Sequence, residues 1–237
     1  VRALRNSAPR NFSMKISCVI PVFNGEKFLR ETLESIGNQT LAPLEIVVAD
    51  DGSSDASLDI ARGFPLVRIV TQKTAGPAAT RNLGWRSARG DFVAFLDADD
   101  LWHPEKLAIQ SEILRENPEI AFCVSLAQMF WTNPQEAENF AGHERAKPIP
   151  GYATTTLLAR RELFQTIGAF NESLWFTDAT EWFMRAEEAG VRSHLVEKVL
   201  TFHRMHGANL TRRRSDESRA EFLQVVRASL RRRRARA

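Results

Sequence analysis

FVAFLDADD, residues 92–100, decides how the rest of the chain reads. Phe92 to Leu96 has the length and apolar composition of a buried strand. Asp97, Asp99 and Asp100 follow it directly. Aspartates are poor strand formers and repel one another, so three of them at the end of a buried strand are costly without a cation. Hard oxygen ligands of this kind suit Mg2+ or Mn2+ bridging to phosphate oxygens. The plainer alternative is that Asp99 or Asp100 caps the helix that follows.

The flanking sequence separates the two readings. Ile16 to Ile20 reads as a buried strand ended by Pro21, Leu44 to Ala49 as a second and Leu66 to Thr71 as a third. Helical spacing lies between them. Gly25 to Gln39 carries Phe28, Leu29, Leu33 and Ile36 on one face. Ala56 to Arg62 has Ser54 and Asp55 placed to cap it, and Ala78 to Ala88 is closed by Gly90. Pro104 opens a further helix that Pro118 stops near Asn117. Strand and helix alternating with short loops predict an α/β fold with an open, mostly parallel sheet and helices on both faces. In such sheets ligands bind beyond the carboxyl ends of the strands. Pro21 to Glu26, Asp50 to Ser53 and Asp97 to Asp100 all lie just past strand ends. That convergence favours a ligand site over a helix cap.

Beyond Ala121 the regularity weakens. Ala121 to Met129 reads as a strand, and Trp131 to Pro150, with Pro134 and Pro148, as a loop. Arg160 to Ile167 reads as a helix ended by Gly168. Asp178 to Ala189 is a stronger helix, with Trp182, Phe183 and Ala186 on one face. Leu195 to Phe202 reads as a late strand, and Asp216 to Arg234 as a basic amphipathic helix. The expected organisation is an extension over 1–13, disordered or not native, a regular half over 14–130, a less regular half of the same domain over 131–211, and a basic tail over 212–237.

The 237 residues, 43% of them hydrophobic, suffice for one such domain. No apolar run approaches the ~20 residues that span a bilayer, and the N-terminus lacks the order of a secretory signal. The expected location is the cytoplasm. Cys18 and Cys123 each sit in an apolar run and read as core residues; no disulfide framework or zinc spacing is expected. The net charge of +3 hides an asymmetry. From Arg212 onward there are ten arginines and three acids, giving +7, so the preceding chain carries −4. A mildly acidic working part argues against nucleic acid as partner. The tail helix could meet anionic lipid at the inner membrane face or an acidic partner, or stay solvated.

Three stretches together resemble the inverting family 2 glycosyltransferases of the GT-A, Rossmann-like fold: CVIPVFNGEKFLRETLESIGNQT, LEIVVADDGSSDAS and AGPAATRNLGWRSARGDFVAFLDADDLWHPEKL. The likeness is dense from Ile16 to about Leu107 and continues more weakly to about Thr211, and it implies a nucleotide-sugar-binding half over 14–130 and an acceptor-binding half over 131–211. It implies transfer of a sugar from a nucleoside-diphosphate sugar, most often a UDP-sugar, to a hydroxyl of a carbohydrate, lipid-linked or other acceptor, with Mn2+ or Mg2+ as cofactor. Asp97 and Asp99 match the DxD motif, with Ala98 between them in the donor site. Asp99 then binds the metal, and Asp97 the ribose or a metal-bound water. Asp51, with Asp50 beside it, matches the base-contacting acid, and Pro21, Phe23 and Glu26 the nucleotide-cradling loop. Arg81 lies where a cation can approach the diphosphate; its alternative is a surface arginine.

The resemblance also implies a general base at the start of a helix. Here FTDATEWF, residues 176–183, departs from the usual pair of acids. Ala179 falls where the aspartate is expected, Asp178 stands one residue earlier, and Glu181 follows a turn later. Asp178 is the expected base, with Glu181 in reserve; otherwise Asp178 only caps its helix. His206, in FHRMHGANLT, matches a late metal- or diphosphate-contacting histidine, with His203 a weaker candidate. Trp102 and Trp175 are candidates to stack on sugar faces, whereas Trp182 reads first as core. The competing function is a module of the same fold that binds the nucleotide sugar without transferring it. A nicotinamide dehydrogenase is disfavoured because no GxGxxG follows the first strand. A sugar nucleotidyltransferase is disfavoured because its glycine-rich N-terminal loop is absent.

Overall fold

A computed structural model describes residues 14–236. The expected extension over 1–13 lies outside the described residues. One sheet runs through the molecule in the order Val67–Thr71, Glu45–Asp50, Ile16–Val22, Phe92–Phe95, Leu158–Arg160, Phe122–Trp131, Ser193–Met205 and Leu101–Trp102, with Ile149–Pro150 beside Phe122–Trp131. Its first half comprises β1 (Ile16–Val22), β2 (Glu45–Asp50), β3 (Val67–Thr71) and β4 (Phe92–Phe95), all paired in parallel. The intervening helices are α1 (Leu29–Gly37), α2 (Ser57–Arg62) and α3 (Pro77–Ser87).

Both faces of this half are buried, and β1 shows why. Ile16, Cys18, Ile20 and Val22 enter one core with Leu29, Leu33 and Ile36 of α1. Val19 points the other way, into a second core with Val47, Ala78 and Phe95. This is the two-faced burial expected of a parallel sheet. Gly84 sets the closest approach of α3: a methyl group there would stand 2.2 Å from Val19 Cγ1. Cys18 and Cys123 are buried and unpaired, and burial pushes both thiols up to about 12.

β1 continues through Pro21, which was expected to end it. The Val19 carbonyl accepts from Leu96 N, so Pro21, two residues on, turns its nitrogen toward the same side. The β1–β4 pairing has finished there at Val19 and Phe95, so no N–H is missed.

The second half is mixed. β5 (Leu101–Trp102) precedes α4 (Lys106–Glu116), and β6 (Phe122–Trp131) follows. α5 (Pro134–Asn139), β7 (Ile149–Pro150), β8 (Leu158–Arg160) and α6 (Leu163–Thr166) then lead to α7 (Asp178–Glu188). β9 (Ser193–Met205), α8 (Leu210–Arg213) and α9 (Ser215–Arg236) complete the described chain. β6 and β9 form a long parallel pair, whereas the antiparallel pairings of β5, β7 and β8 are short. Two expectations are corrected. The loop over 131–150 contains α5, which Asn133 caps by accepting from Gln135 N and Glu136 N. The helix expected from Arg160 begins at Leu163, because Arg160 still pairs with Phe92 in the sheet.

Candidate active site

Two loops at the carboxyl ends of β1 and β2 are stitched together. Asn24 N donates to Ser53 Oγ, and Asn24 Oδ1 accepts from Ser54 N, each at 2.9 Å. Gly25 N donates to Ser57 Oγ at 2.8 Å, and Glu26 N to Asp55 Oδ2 at 2.9 Å. Glu26 Oε2 returns a bond from Ala56 N at 3.0 Å. Phe28 N and Leu29 N both donate to the Gly25 carbonyl, so residues 25–28 form a turn that leads into α1 at Leu29. Burial works against the charge on Asp55, but the Ser57 hydroxyl and the amides of Glu26 and Ser57 outweigh it and hold its carboxyl below the usual range. Phe23 is exposed at the rim, and Pro21 is partly exposed behind it.

The acids at these strand ends sort by how many oxygens the chain itself engages. Asp50 accepts from Gly52 N and Ser53 N through both oxygens. Asp51 accepts from Gln72 Nε2 and Ala75 N on Oδ1 and from Gly76 N on Oδ2. Both therefore shape the turns around them. Asp100, fully buried, is tied to β9: Oδ1 accepts from Arg204 N and Oδ2 meets His203 Nδ1, each at 2.9 Å. Burial disfavours a charged His203, yet the Asp100 carboxylate prevails and pushes it up to about 9. Neither Asp99 nor Asp100 caps a helix, since β5 intervenes before α4.

Asp97, Asp99 and Asp178 behave differently, each engaging one oxygen. Arg81, on α3, donates from one terminal nitrogen to Asp97 Oδ1 at 2.8 Å and from the other to Asp178 Oδ2 at 2.9 Å. Arg81 is buried rather than a surface arginine, and its Nε has no partner. Burial works against its charge, but Asp178 and Asp97 more than offset this and hold its pKa above the ordinary value. Asp99 Oδ2 meets His206 Nε2 at 2.9 Å and Asn209 Nδ2 at 3.3 Å. The remaining oxygens, Asp97 Oδ2, Asp99 Oδ1 and Asp178 Oδ1, make no hydrogen bond among the described residues. Ala98 is packed close to Gly25, and its carbonyl accepts from Thr32 Oγ1.

The set was tested for a divalent ion. Adjacent ligands of an octahedral ion with bonds of ~2.1 Å stand about 3 Å apart, and Asp99 Oδ2 and His206 Nε2 are 2.9 Å apart. Asp97 faces Arg81, however, and among the described residues no group of three or more His, Cys, Asp or Glu side chains is arranged to hold a metal. Asp99 and His206 are the two side chains here that could hold such an ion, the rest of its ligands coming from outside the chain.

Thr177 precedes α7, and Asp178 is its buried first residue. Glu181, the reserve base, is committed through both oxygens to Arg185 Nε at 2.9 and 2.8 Å. Trp175 is 41% exposed and lies against Gly76, beside the Asp51 turn. Trp102 is not available to a sugar: it is buried, its Nε1 donates to the Thr155 carbonyl, and Lys106 Nζ sits 4.3 Å from its ring centre. Trp182 is core, as expected.

Two residues at the site escaped the sequence reading. Glu221 of α9 accepts from Trp175 N, Phe176 N, Thr177 N and Thr177 Oγ1 at 2.6–3.0 Å. Its one signal was an acid inside a basic helix. Arg204 of β9 donates to the Asp99 carbonyl and to Glu31, and lies over the Phe28 and Phe130 rings. Its one signal was its place as the arginine of FHRMHGANLT, from which no role was drawn.

Residues 17–171 match the family described as Glycosyl transferase family 2, which is more than half of the chain. An uncharacterized glycosyltransferase of Rickettsia felis is 32% identical over 164 residues, covering 68% of this chain and 27% of that protein. Chondroitin synthase of Escherichia coli is 27% identical over 229 residues, 91% of this chain and 32% of its own length. The chain therefore spans about a third or less of either relative. Among solved structures, the mannosyltransferase PcManGT of Pyrobaculum calidifontis, in complex with GDP-Man and Mn2+, aligns with a TM-score of 0.73. The alignment covers 93% of this chain and 65% of that one at 22% identity, a likeness of fold. S. aureus TarS 1-349 in complex with UDP aligns with a TM-score of 0.64 at 25% identity, over 81% of this chain and 61% of that one.

Proposed function

Because this chain belongs to glycosyltransferase family 2, we propose that it moves a sugar, with inversion, from a nucleoside-diphosphate sugar to an acceptor hydroxyl. The observation that carries this is the single uncommitted oxygen on each of Asp97, Asp99 and Asp178, with Arg81 joining the donor acid to the acceptor-side acid. In the proposed reaction Asp178 Oδ1 takes the hydroxyl proton as the acceptor oxygen bonds to C1 of the sugar. The bond from C1 to the diphosphate breaks, and its electron pair leaves with the nucleoside diphosphate. Arg81 holds Asp178 in place through Oδ2 and brings positive charge close to the departing group. Pro21, Phe23 and Glu26 with Asp50 and Asp51 form the base- and ribose-facing loops, and Asp97 Oδ2 is placed for ribose or bound water. Asp99 and His206 would hold Mn2+ or Mg2+, which stabilises the charge on the leaving diphosphate.

A UDP-sugar is the favoured donor, on the family resemblance and on the UDP complex of TarS; the GDP-Man complex of PcManGT keeps a GDP-sugar in view. The cytoplasmic location remains part of the proposal; among the described residues no helix is long and apolar enough to cross a membrane. The test has two arms. Thermal shift with UDP-, GDP- and dTDP-sugars, with and without Mn2+, should single out one donor, since stabilisation follows ligand concentration over Kd. No metal-dependent shift with any of them overturns the donor site. Transfer assays on Asp178→Asn and Glu181→Gln then separate transfer from mere binding. The binding-only reading rests on the Arg185–Glu181 pair, which takes both oxygens of the reserve base, and unchanged turnover in Asp178→Asn removes that residue as base.

A further inference from the structure

Helix α9 uses its two faces for different contacts. Its inward face holds it to the domain: Glu221 binds the loop before α7, Val225 is buried, and Ser229 and Arg232 both bond Glu188. Arg233 pairs with Glu187 at the margin. The outward face follows at positions 219, 222, 223, 226, 227, 230, 231 and 234, the spacing of one helical stripe. Phe222, Leu223 and Leu230 on this stripe are 45–50% exposed. Arg219, Arg227, Arg231 and Arg234 are interleaved with them, and none has an ion-pair partner among the described residues. Beyond Glu221 the chain contains six arginines and no acid.

Single exposed leucines need no explanation, but three large apolar side chains among unpaired arginines on one helix face mark an interaction surface. Four occupants are conceivable, and the chemistry chooses among them: an acidic protein surface would need acids and apolar groups matched to this one spacing, which a fluid lipid surface supplies without matching. A second copy of the same face would set unpaired guanidinium groups against one another. Nucleic acid would meet the arginines but leave the Phe222–Leu230 strip without a partner. An anionic lipid surface satisfies both sets: apolar side chains enter the boundary of the acyl chains while guanidinium groups pair with lipid phosphate. The fixed docking of the inward face also presents the stripe already formed. We propose that α9 lies flat on an anionic bilayer through the stripe from Arg219 to Arg234. Because Glu221 on the reverse face holds the loop before Asp178, docking brings the acceptor side toward the membrane. On the transferase reading above, the acceptor is then a hydroxyl on a membrane-borne molecule.

The test is co-sedimentation of the full chain with vesicles of phosphatidylcholine alone and of phosphatidylcholine with one quarter phosphatidylglycerol. Binding should be about ten-fold greater on the anionic vesicles and should fall when NaCl is raised from about 0.05 M to about 0.5 M. The Arg227→Glu/Arg231→Glu/Arg234→Glu variant and the Phe222→Ser/Leu223→Ser variant should each lose most of that binding. Both should keep the far-UV spectrum and nucleotide-induced thermal shift of the parent, since these side chains face outward. Equal binding to the two vesicle types, no binding, or unchanged binding by both variants overturns the proposal. So does tighter binding to duplex DNA than to the anionic vesicles. No vesicle binding by the parent chain together with an intact nucleotide shift removes the docking face alone; vesicle binding by the parent without any nucleotide shift removes the donor-site reading alone.

Discussion

Arg81 is the residue on which the site's electrostatics turn. Its planar fork serves two carboxylates at once, and lysine, a single compact charge, cannot reproduce that geometry. Arg81→Lys should therefore retain the fold but lower turnover at least ten-fold, read in a transfer assay against donor binding. Arg81→Met leaves Asp178 buried without its counter-charge and should cost about 3–5 kcal/mol in urea unfolding. Lys106 makes a second residue-scale prediction. It is fully buried, bonded to Gln110 Oε1, and burial lowers its pKa to about 7. The unfolded chain then binds more protons than the folded one between pH 7 and the ordinary lysine value. Stability should rise with pH across that window, by up to about 1.4 kcal/mol per pH unit. Lys106→Met should flatten this rise in urea midpoints measured from pH 7 to 9, and an unchanged slope would assign it to other groups. The sequence brought Asp97, Asp99, Asp178 and His206 into view as candidates. It was silent on which oxygen each acid keeps uncommitted, because that depends on Arg81 reaching across a separation of 97 residues.

At the scale of the element, α9 is tied into the domain rather than appended to it. The Glu221 carboxylate takes three amides and a hydroxyl from residues 175–177. Burial works against its charge, but these donors outweigh it and hold its pKa below the ordinary range. Glu221→Gln keeps the size but replaces one acceptor oxygen with a donor NH2 group, which cannot accept those amides. Amide exchange at Trp175 to Thr177 should accelerate and kcat should fall, with donor affinity unchanged. Exchange at the parental rate would mean that the loop is held by other contacts. The helical character of α9 was legible from its spacing, as were α3, α4 and α7. β5 and β8 were not, since two or three residues cannot display a period.

Across the whole molecule, the sheet splits into a half that the sequence displays openly and a half that it does not. β1, β2 and β4 are apolar runs buried on both faces, β3 is a half-buried edge strand, and short helices separate them, so their alternation is legible from their spacing. The parallel β6–β9 pair joins segments far apart in the chain, with α5 to α7 between them. Long-range pairing of this kind leaves little local trace. The family match ends at residue 171, whereas Asp178, His206 and Glu221 all lie beyond it. The two halves meet where Asp99 touches His206 and Asp100 meets β9. Donor and Mn2+ together should therefore protect amides of residues 193–205 from exchange as well as those of residues 21–26 and 50–57. Asp99→Ala should remove the first protection and leave much of the second.

The charge division has a practical corollary. The full chain carries +3, with a sequence pI of about 9.1, while the portion before Arg212 carries −4. A protein trimmed at Thr211 would reverse its electrophoretic mobility at neutral pH and move from cation- to anion-exchange resin. It would also bare the socket of Val225 and leave Glu187 and Glu188 without the arginines that now neutralise them. Proteolytic loss of the tail should thus show up as a change in the sign of migration before any change in activity is measured.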